Sequence, residues 1–113
     1  MSDEQAQQES QQDARPRVGY DVSDAVATIT LDSPHNRNAL SRALVTGLFE
    51  ALERAAADDA ARVVVIAATG SVFCSGADLS EAASGSMEQG ALEIVRLQRA
   101  ILTHPKPVVC RLQ

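Results

Sequence analysis

VVVIAATGSVFCSGADL, residues 63 to 79, decides the fold of this chain. Val63–Ala68 is a continuous apolar run, which is typical of a strand buried on both faces between helices. The Thr69-Gly70-Ser71 break ends that strand, and Phe73–Leu79 then forms a glycine-bearing loop that leads into an acidic helix start. Such a passage exposes backbone N–H groups at one point, and these groups can stabilise a developing oxyanion.

Upstream of this stretch the sequence predicts two short strands. Arg17–Val22 and Ala25–Leu31 are rich in β-type residues, and the second run alternates apolar and small polar residues. Ser23-Asp24 is predicted to form the tight turn between them, although no glycine marks it. Asp32–Asn38 clusters proline, asparagine and serine and is therefore predicted to be a loop.

A helix is predicted from Ser41, its N-cap, to about Asp58. Its apolar stripe has helical spacing and indicates a face directed at the core. The stripe consists of Leu44, Leu48, Leu52 and Ala55, widened by Val45 and Phe49.

Two capping boxes follow the glycine loop. Asp78–Glu81 predicts a short helix that breaks over Ala82 to Gly85, and Ser86–Gln89 predicts a longer helix that runs to about Thr103. Pro105-Lys106-Pro107 stops that helix, and Val108–Cys110 begins another buried strand. The predicted order ββ-α-β-α-β indicates the α/β class, with the later strands joined through helices.

The charge of the chain is concentrated in its N-terminal tail. The formal net charge is −5, and the first fourteen residues hold four acids, five glutamines and no base. Residues 1–16 are predicted to be a disordered acidic and Gln-rich tail, because so polar a segment buries too little apolar surface to fold. From Arg15 onward the chain holds eleven acids and ten bases and is nearly neutral, which argues against nucleic-acid binding. Without an apolar span or a secretory pattern, we expect a soluble cytoplasmic protein.

The cysteines and histidines show no pattern of a metal site or a catalytic triad. Cys74 and Cys110 form no Cys-x-x-Cys pair, and His35 and His104 each adjoin a proline. We expect two buried or half-buried thiols in a reducing compartment, no metal, and no partnered catalytic histidine.

Three segments together resemble the enoyl-CoA hydratase/isomerase family, the crotonases. Residues 36–41, NRNALS, are similar to the first CoA-contacting loop of that family. Residues 73–79, FCSGADL, resemble its first oxyanion segment, and residues 104–109, HPKPVV, resemble the approach to its second. The order and spacing of the three segments carry the resemblance, which covers about Arg17 to Gln113.

The resemblance implies the N-terminal part of a crotonase-type ββα superhelix, over residues 17–113. It implies an acyl-CoA thioester as substrate, no other cofactor, and a homotrimer or hexamer for the parent family. Enoyl-CoA hydratase, a lyase that hydrates 2-enoyl-CoA in fatty-acid breakdown, is the activity most often associated with these motifs. Isomerases, hydrolases and decarboxylases of the family share the same N-terminal half.

In the family, the second oxyanion N–H and the acid/base carboxylates follow the segment at which this sequence ends, Arg111–Gln113. The resemblance therefore implies a fragment truncated before the second oxyanion segment. We expect the 113-residue chain alone to be inactive and to assemble poorly. Its residues do not tell which crotonase reaction or acyl chain the parent uses, or whether the truncation is natural.

The resemblance assigns the catalytic role in this chain to the backbone N–H of Ala77, as the first oxyanion donor. The alternative is a mere strand-to-helix turn in which Gly76 lets two backbones approach. For CoA binding, the resemblance places Arg37 near the phosphates and implies main-chain or nucleotide-side contacts for five further residues. These are Ala39, Ser75, Gly76, Asp78 and Leu79.

A non-catalytic function is the alternative from another class. A short α/β module with a loop serine after a Val-rich strand is also found in anti-sigma-antagonist proteins, where that serine is phosphorylated. Ser75-Gly76 is weakly similar to such a site. That fold does not require the NALS or PKPVV segments, and binding of acyl-CoA would distinguish the two hypotheses.

Overall fold

The computed structural model describes residues 17–84 and 87–113. Within them, the β-strands and α-helices follow one another in the predicted order. The strands are β1 (Arg17–Ser23), β2 (Val26–Asp32), β3 (Val63–Ala68) and β4 (Val108–Cys110). The helices are α1 (Arg42–Ala57), α2 (Leu79–Ser84) and α3 (Met87–Leu102), and a 3₁₀ turn spans Pro34–Asn36. The predicted tail over residues 1–16 and the predicted N-cap at Ser86 lie outside the described residues.

The described strands form one sheet in the order β1-β2-β3-β4. β1 and β2 form an antiparallel hairpin in which Ser23 pairs with Val26. β2, β3 and β4 are parallel, with Ile29 beside Ile66 and Val64 beside Val108. Each parallel connection passes through at least one helix, as parallel strands require.

The hairpin turn lies one residue later than the sequence predicted. Asp24 and Ala25, and not Ser23 and Asp24, are the turn residues, with φ angles of 52° and 67°. Two successive positive φ angles are the mark of the tight turns that match the twist of a hairpin. The prediction was wrong because alanine rarely adopts such a conformation and gives no turn signal.

The core lies between one face of the sheet and the helices α1 and α3. β2 contributes Ile29 and β3 contributes Val64, and both side chains are fully enclosed. The predicted stripe of α1 faces them, and all four of its spaced members are buried: Leu44, Leu48, Leu52 and Ala55. The prediction that β3 is buried on both faces is met only in part among the described residues: on its other face Ala67 is buried, whereas Val63 and Val65 are half-buried.

Ser41 caps the N-terminus of α1, as predicted. The Ser41 hydroxyl oxygen accepts a hydrogen bond from the Leu44 N–H at 3.2 Å. The short helix α2 is longer than predicted. The predicted break from Ala82 onward is wrong, because α2 continues to Ser84.

The C-terminus of α1 is held by the segment that precedes β4. The Lys106 ammonium donates to the carbonyl oxygens of Ala55 at 2.6 Å and Asp58 at 2.7 Å. The His104 ring bonds the Leu52 carbonyl through Nε2 at 2.9 Å, and its Nδ1 accepts from the Lys106 N–H at 3.1 Å. The Ala55 and Asp58 carbonyls also accept the N–H groups of Asp58 at 3.3 Å and Ala61 at 3.0 Å, so Lys106 adds a second donor to each. A cation at this end of the helix is also favourable to the helix dipole.

Replacing Lys106 with methionine is expected to lower the free energy of unfolding by about 1–3 kcal/mol. The half-buried ammonium makes two charge-assisted hydrogen bonds, and methionine keeps the stem while it removes both of them. Urea unfolding followed by circular dichroism measures the change. Arg99→Met is the control, because it removes the same charge from an exposed position of α3. An equal loss in both variants would contradict the capping role.

Tyr20 on β1 joins the sheet to the end of α1. Its hydroxyl donates to Asp58 Oδ2 at 2.8 Å, and the Arg54 guanidinium carbon lies 4.2 Å from its ring centre. The hydrogen bond from Tyr20, followed by that from the Ala60 N–H, holds the pKa of Asp58 below its usual value. Partial burial, followed by the bond to Asp58, raises the pKa of Tyr20.

Tyr20→Phe is therefore expected to reduce the loss of folding stability that occurs as the pH falls into the acid range. Because the pKa of Asp58 is lower in the folded state, its contribution is present above the unfolded pKa of about 4 and is lost as the pH falls through the folded pKa. Phenylalanine removes the main cause of that shift and keeps a ring beneath Arg54. Thermal unfolding midpoints from pH 6 down to pH 2 measure the slope, and an unchanged slope would show that Tyr20 does not set it.

Candidate functional site

Two loops meet at the carboxyl ends of the parallel strands. The first follows β2 and covers residues 33–41, and the second follows β3 and covers residues 69–78. Leu40 and Ala77 form a parallel β-bridge, and the Leu40 N–H donates to the Gly76 carbonyl at 2.7 Å. The Ser75 N–H donates to the Arg37 carbonyl at 3.1 Å. The structure therefore brings together the two segments that the sequence assigned to CoA contact and to the oxyanion. They meet at the carboxyl ends of the strands, where ligands commonly bind in α/β folds.

Ala77 presents a free backbone donor at this junction. The residue is exposed, and among residues 17–84 and 87–113 no protein acceptor receives a hydrogen bond from its N–H. The N–H of Gly76 likewise donates to no protein acceptor among these residues. Adjacent unpartnered N–H groups on a fixed backbone are what an incoming carbonyl oxygen requires.

Gly76 is required by its backbone conformation. Its φ is +99°, which residues with a Cβ rarely adopt, whereas a Cβ built at this position meets nothing within 4 Å. The alternative explanation that Gly76 lets two backbones approach is therefore not supported. The positive φ of the glycine sets the turn of the chain directly before Ala77.

Asn38 connects the two loops, and the sequence analysis did not single it out. It is fully buried, and its Nδ2 donates to the carbonyls of Thr69 and Val72, each at 2.9 Å. Its Oδ1 accepts from the Ser33 N–H at 2.7 Å. Its φ is +54°, and asparagine is among the few residues that accept such a value, so the residue type in this loop was the one signal that the sequence offered.

The first loop presents Arg37 to solvent. Arg37 is exposed and has a φ of +57°, at the end of the 3₁₀ turn. Ala39 is buried; its N–H donates to the Asn36 carbonyl at 3.2 Å and its carbonyl accepts from Ser41 at 2.8 Å. A main-chain contact from Ala39 to a ligand is thus restricted to the second lone pair of its carbonyl oxygen. The assignment of both residues to CoA binding stays a prediction.

In the second loop, Ser75 is exposed and its N–H is already bonded to Arg37. Leu79 is 81% exposed, which is unusual for a leucine in the first turn of a helix. Both residues lie on the surface near Ala77, and their predicted contacts with CoA stay predictions.

The Asp78 carboxylate is used as a helix cap, which confirms the capping part of the sequence analysis. Its Oδ1 accepts from the N–H groups of Ser80 at 3.0 Å and Glu81 at 3.3 Å, and from the Ser80 hydroxyl at 2.6 Å. The hydroxyl bond is the main reason that the pKa of Asp78 lies below its usual value. A carboxylate held ionised in this way is poorly suited to take up a proton at neutral pH.

Glu81 has a contact that the sequence did not predict. Its carboxylate accepts from the Arg42 N–H at 2.8 Å, at the first turn of α1. The short helix that follows the glycine loop is thereby tied to the helix that follows the first loop. The contact adds an acidic group at a helix N-terminus, where negative charge is favourable.

The remaining nucleophilic and metal-binding side chains do not form a second site. In the described part of the chain, no group of three or more His, Cys, Asp or Glu side chains lies close enough to hold a metal ion. Cys74 is half-buried as expected, but Cys110 is exposed, because it lies on the edge strand β4. His35 is exposed on the 3₁₀ turn.

A family profile described as enoyl-CoA hydratase/isomerase matches residues 21–113. The chain belongs to this family. The match includes both loops of the site and the segment from His104 to β4. It favours the acyl-CoA enzyme over the anti-sigma-antagonist module, whose fold does not call for these segments.

Curated relatives of the family align with this same region. The probable enoyl-CoA hydratase echA6 of Mycobacterium tuberculosis is 40% identical over 92 residues, which are 81% of this chain and 37% of the relative. Carboxymethylproline synthase of Pectobacterium carotovorum is 37% identical over 92 residues, which are 77% of this chain and 37% of that enzyme. The chain thus spans somewhat more than a third of the length of these relatives.

Solved structures of the family share the fold. An enoyl-CoA hydratase from Mycobacterium avium is 45% identical, with a TM-score of 0.72 over 82% of this chain and 38% of that chain. One from Shewanella pealeana is 25% identical, with a TM-score of 0.77 over 90% of this chain and 40% of that chain. The described residues therefore adopt the N-terminal part of the crotonase fold. None of their helices is long and apolar enough to cross a membrane.

Proposed function

We propose that this chain is the acyl-CoA-binding portion of a crotonase-family enzyme, with enoyl-CoA hydratase as the reaction of the whole protein. The observation that carries the proposal is the unpartnered Ala77 N–H, held where the two ligand loops of this family meet. In the proposed complex this N–H donates to the thioester carbonyl oxygen.

The chemistry of the substrate explains why such a donor is needed. Addition of water to a 2-enoyl thioester places negative charge on the thioester oxygen as the new bond forms at the β-carbon. A backbone N–H fixed beforehand stabilises that charge without reorganisation, and one such donor contributes about 3–4 kcal/mol to lowering a barrier. Ala77 acts through its main chain, so its small side chain serves only to leave room.

Arg37 is proposed to lie near the CoA phosphates. Its exposed guanidinium belongs to the residue whose carbonyl accepts from the Ser75 N–H, so it extends from the same junction as the oxyanion donor. A guanidinium pairs with two phosphate oxygens at once, which favours arginine for this contact.

A second candidate reaction follows from one of the relatives. Carboxymethylproline synthase matches the same portion of the chain at an identity similar to that of the hydratases. The N-terminal portion therefore does not by itself favour hydration over another reaction of the family. We propose the same Ala77 donor for either reaction, so the binding experiments below do not depend on which of the two the whole protein catalyses.

Arg37→Ala is expected to weaken binding of butyryl-CoA by about tenfold at low salt, because one phosphate contact is lost. Titration calorimetry of the 113-residue chain with butyryl-CoA measures the affinity. Arg62→Ala is the matched control, since Arg62 is also exposed but directly precedes β3, at the opposite end of the strands from the site. Equal affinities of the two variants would contradict the role of Arg37, and no binding by the unmodified chain would contradict the proposed function.

A further inference from the structure

Asn38 is a buried amide that bonds at both of its ends. Its Oδ1 serves the first loop through Ser33, and its Nδ2 serves the second loop through Thr69 and Val72. Its own N–H donates to the Ser33 carbonyl at 2.9 Å. A buried amide in which each polar atom has a partner fixes one arrangement of its surroundings, because every other arrangement leaves a buried polar group unpaired.

The bonds on either side of Asn38 lead directly to the oxyanion segment. One residue before it, the Arg37 carbonyl accepts from Ser75, and two residues after it, the Leu40 N–H donates to the Gly76 carbonyl. The peptide unit that contains this Gly76 carbonyl also contains the Ala77 N–H. The direction of that N–H is therefore set by the contact with Leu40, whose place depends on the fixed position of Asn38.

We propose that Asn38 is a positioning residue for the Ala77 N–H. Its amide joins the loop over residues 33–41 to the loop over residues 69–78, so that the donor and the CoA-contacting loop form one preorganised unit. The part of this proposal that concerns the ligand rests on the proposed function. The part that concerns the direction of the donor does not.

Asn38→Asp separates positioning from simple filling of the site. Aspartate has the same shape, tolerates a φ of +54° and keeps the oxygen that accepts from Ser33. It replaces the Nδ2 donor with an oxygen that faces two carbonyl oxygens. Burial and those carbonyls raise the pKa of the introduced carboxyl, and its protonated form regains one donor. The defect is therefore expected at pH 8 and is expected to recede at pH 5.5.

Asn36→Asp is the matched control. Asn36 lies in the same loop, and its Oδ1 accepts from the Ser33 hydroxyl at 2.7 Å, a bond that aspartate keeps. Among the described residues its Nδ2 donates to no protein acceptor, so the substitution removes no hydrogen bond. The two variants thus add the same charge to the same loop, and only one of them loses the connection to the second loop.

The experiment compares the 113-residue chain with both variants at pH 8 and pH 5.5. Amide hydrogen exchange of Leu40 and Ser75 reports on the junction between the loops, and the chemical shift of the Ala77 amide reports on the donor. Titration with butyryl-CoA and with CoA gives the preference for the thioester. Asn38→Gly, which accepts the positive φ and adds no charge, takes the place of Asn38→Asp if the latter does not fold at pH 8.

At pH 8, Asn38→Asp is expected to lose about tenfold in exchange protection at Leu40 and Ser75, to shift the Ala77 amide and to lose the preference for butyryl-CoA. Protection and preference return in part at pH 5.5, whereas Asn36→Asp keeps the protection and the preference of the unmodified chain at both pH values, although its charge beside Arg37 weakens binding of butyryl-CoA and CoA alike. Unchanged protection in a folded Asn38 variant, or an equal effect in both variants, would overturn the proposal. If the unmodified chain shows no preference for butyryl-CoA, the proposed function fails, and the exchange and shift data still decide the role of Asn38.

Discussion

Replacing Ala77 with L-lactate is expected to abolish the preference of the chain for butyryl-CoA over CoA, a loss of about tenfold in affinity for the thioester. The ester bond deletes the N–H and leaves the side chain and the backbone angles in place. Cys74 provides the ligation site for a synthetic segment over residues 74–113, so the variant is accessible by semisynthesis. In a longer protein that turns over substrate, the same change is expected to lower kcat by about 10²–10³.

The control is the same semisynthetic chain with alanine at position 77. An ester also weakens the Gly76 carbonyl as the acceptor for Leu40, so amide exchange at Leu40 must be measured in both chains. Retention of the thioester preference by the lactate chain, with Leu40 still protected, would refute the oxyanion role of Ala77.

The 113-residue chain is expected to hydrate crotonyl-CoA at no more than the rate in buffer. Each general acid or base contributes about 10²–10⁴-fold, and three acidic groups in or next to the two loops have other partners. Asp78 caps α2, Glu81 accepts from Arg42, and Asp32 accepts from the Thr69 hydroxyl at 2.9 Å. One backbone donor cannot replace a proton-transfer pair.

Absorbance at the wavelength of the enoyl thioester follows the hydration of crotonyl-CoA. A family member of full length, such as the solved hydratase from Mycobacterium avium, is the positive control. Turnover by the 113-residue chain comparable to that control would overturn the prediction. It would also direct attention to His35, an exposed side chain of the first loop, as a source of proton transfer.

The elements of the fold could be predicted because their signals are local. The apolar run of β3, the stripe of α1 and the Ser41 cap each specify one element within a few residues. The hairpin turn was displaced by one residue because Ala25 adopts a positive φ that its identity does not announce. The partial exposure of Val63 and Val65 on the outer face of β3 could not be inferred either, since an apolar run does not say how many layers cover a strand.

The two loops of the candidate site were predicted by resemblance, but the side-chain contacts that hold these loops in place were not. Asn38 and Glu81 act across more than thirty residues, from one loop to another segment. No spacing in the sequence encodes such contacts, because they depend on two loops that meet only when the parallel strands are assembled. The contacts of His104 and Lys106 could not be predicted either, because their partners are backbone carbonyls near the end of α1, about fifty residues earlier in the chain.

The central claim is that the Ala77 N–H donates to a thioester carbonyl. The most direct measurement is a titration of the ¹⁵N-labelled 113-residue chain with butyryl-CoA, and separately with CoA, followed by the Ala77 amide proton resonance. We predict a downfield shift of this proton with butyryl-CoA and a much smaller one with CoA, because only the thioester brings an acceptor to the donor. Equal responses to the two ligands, or an Ala77 resonance that does not move while butyryl-CoA binds, would contradict the account.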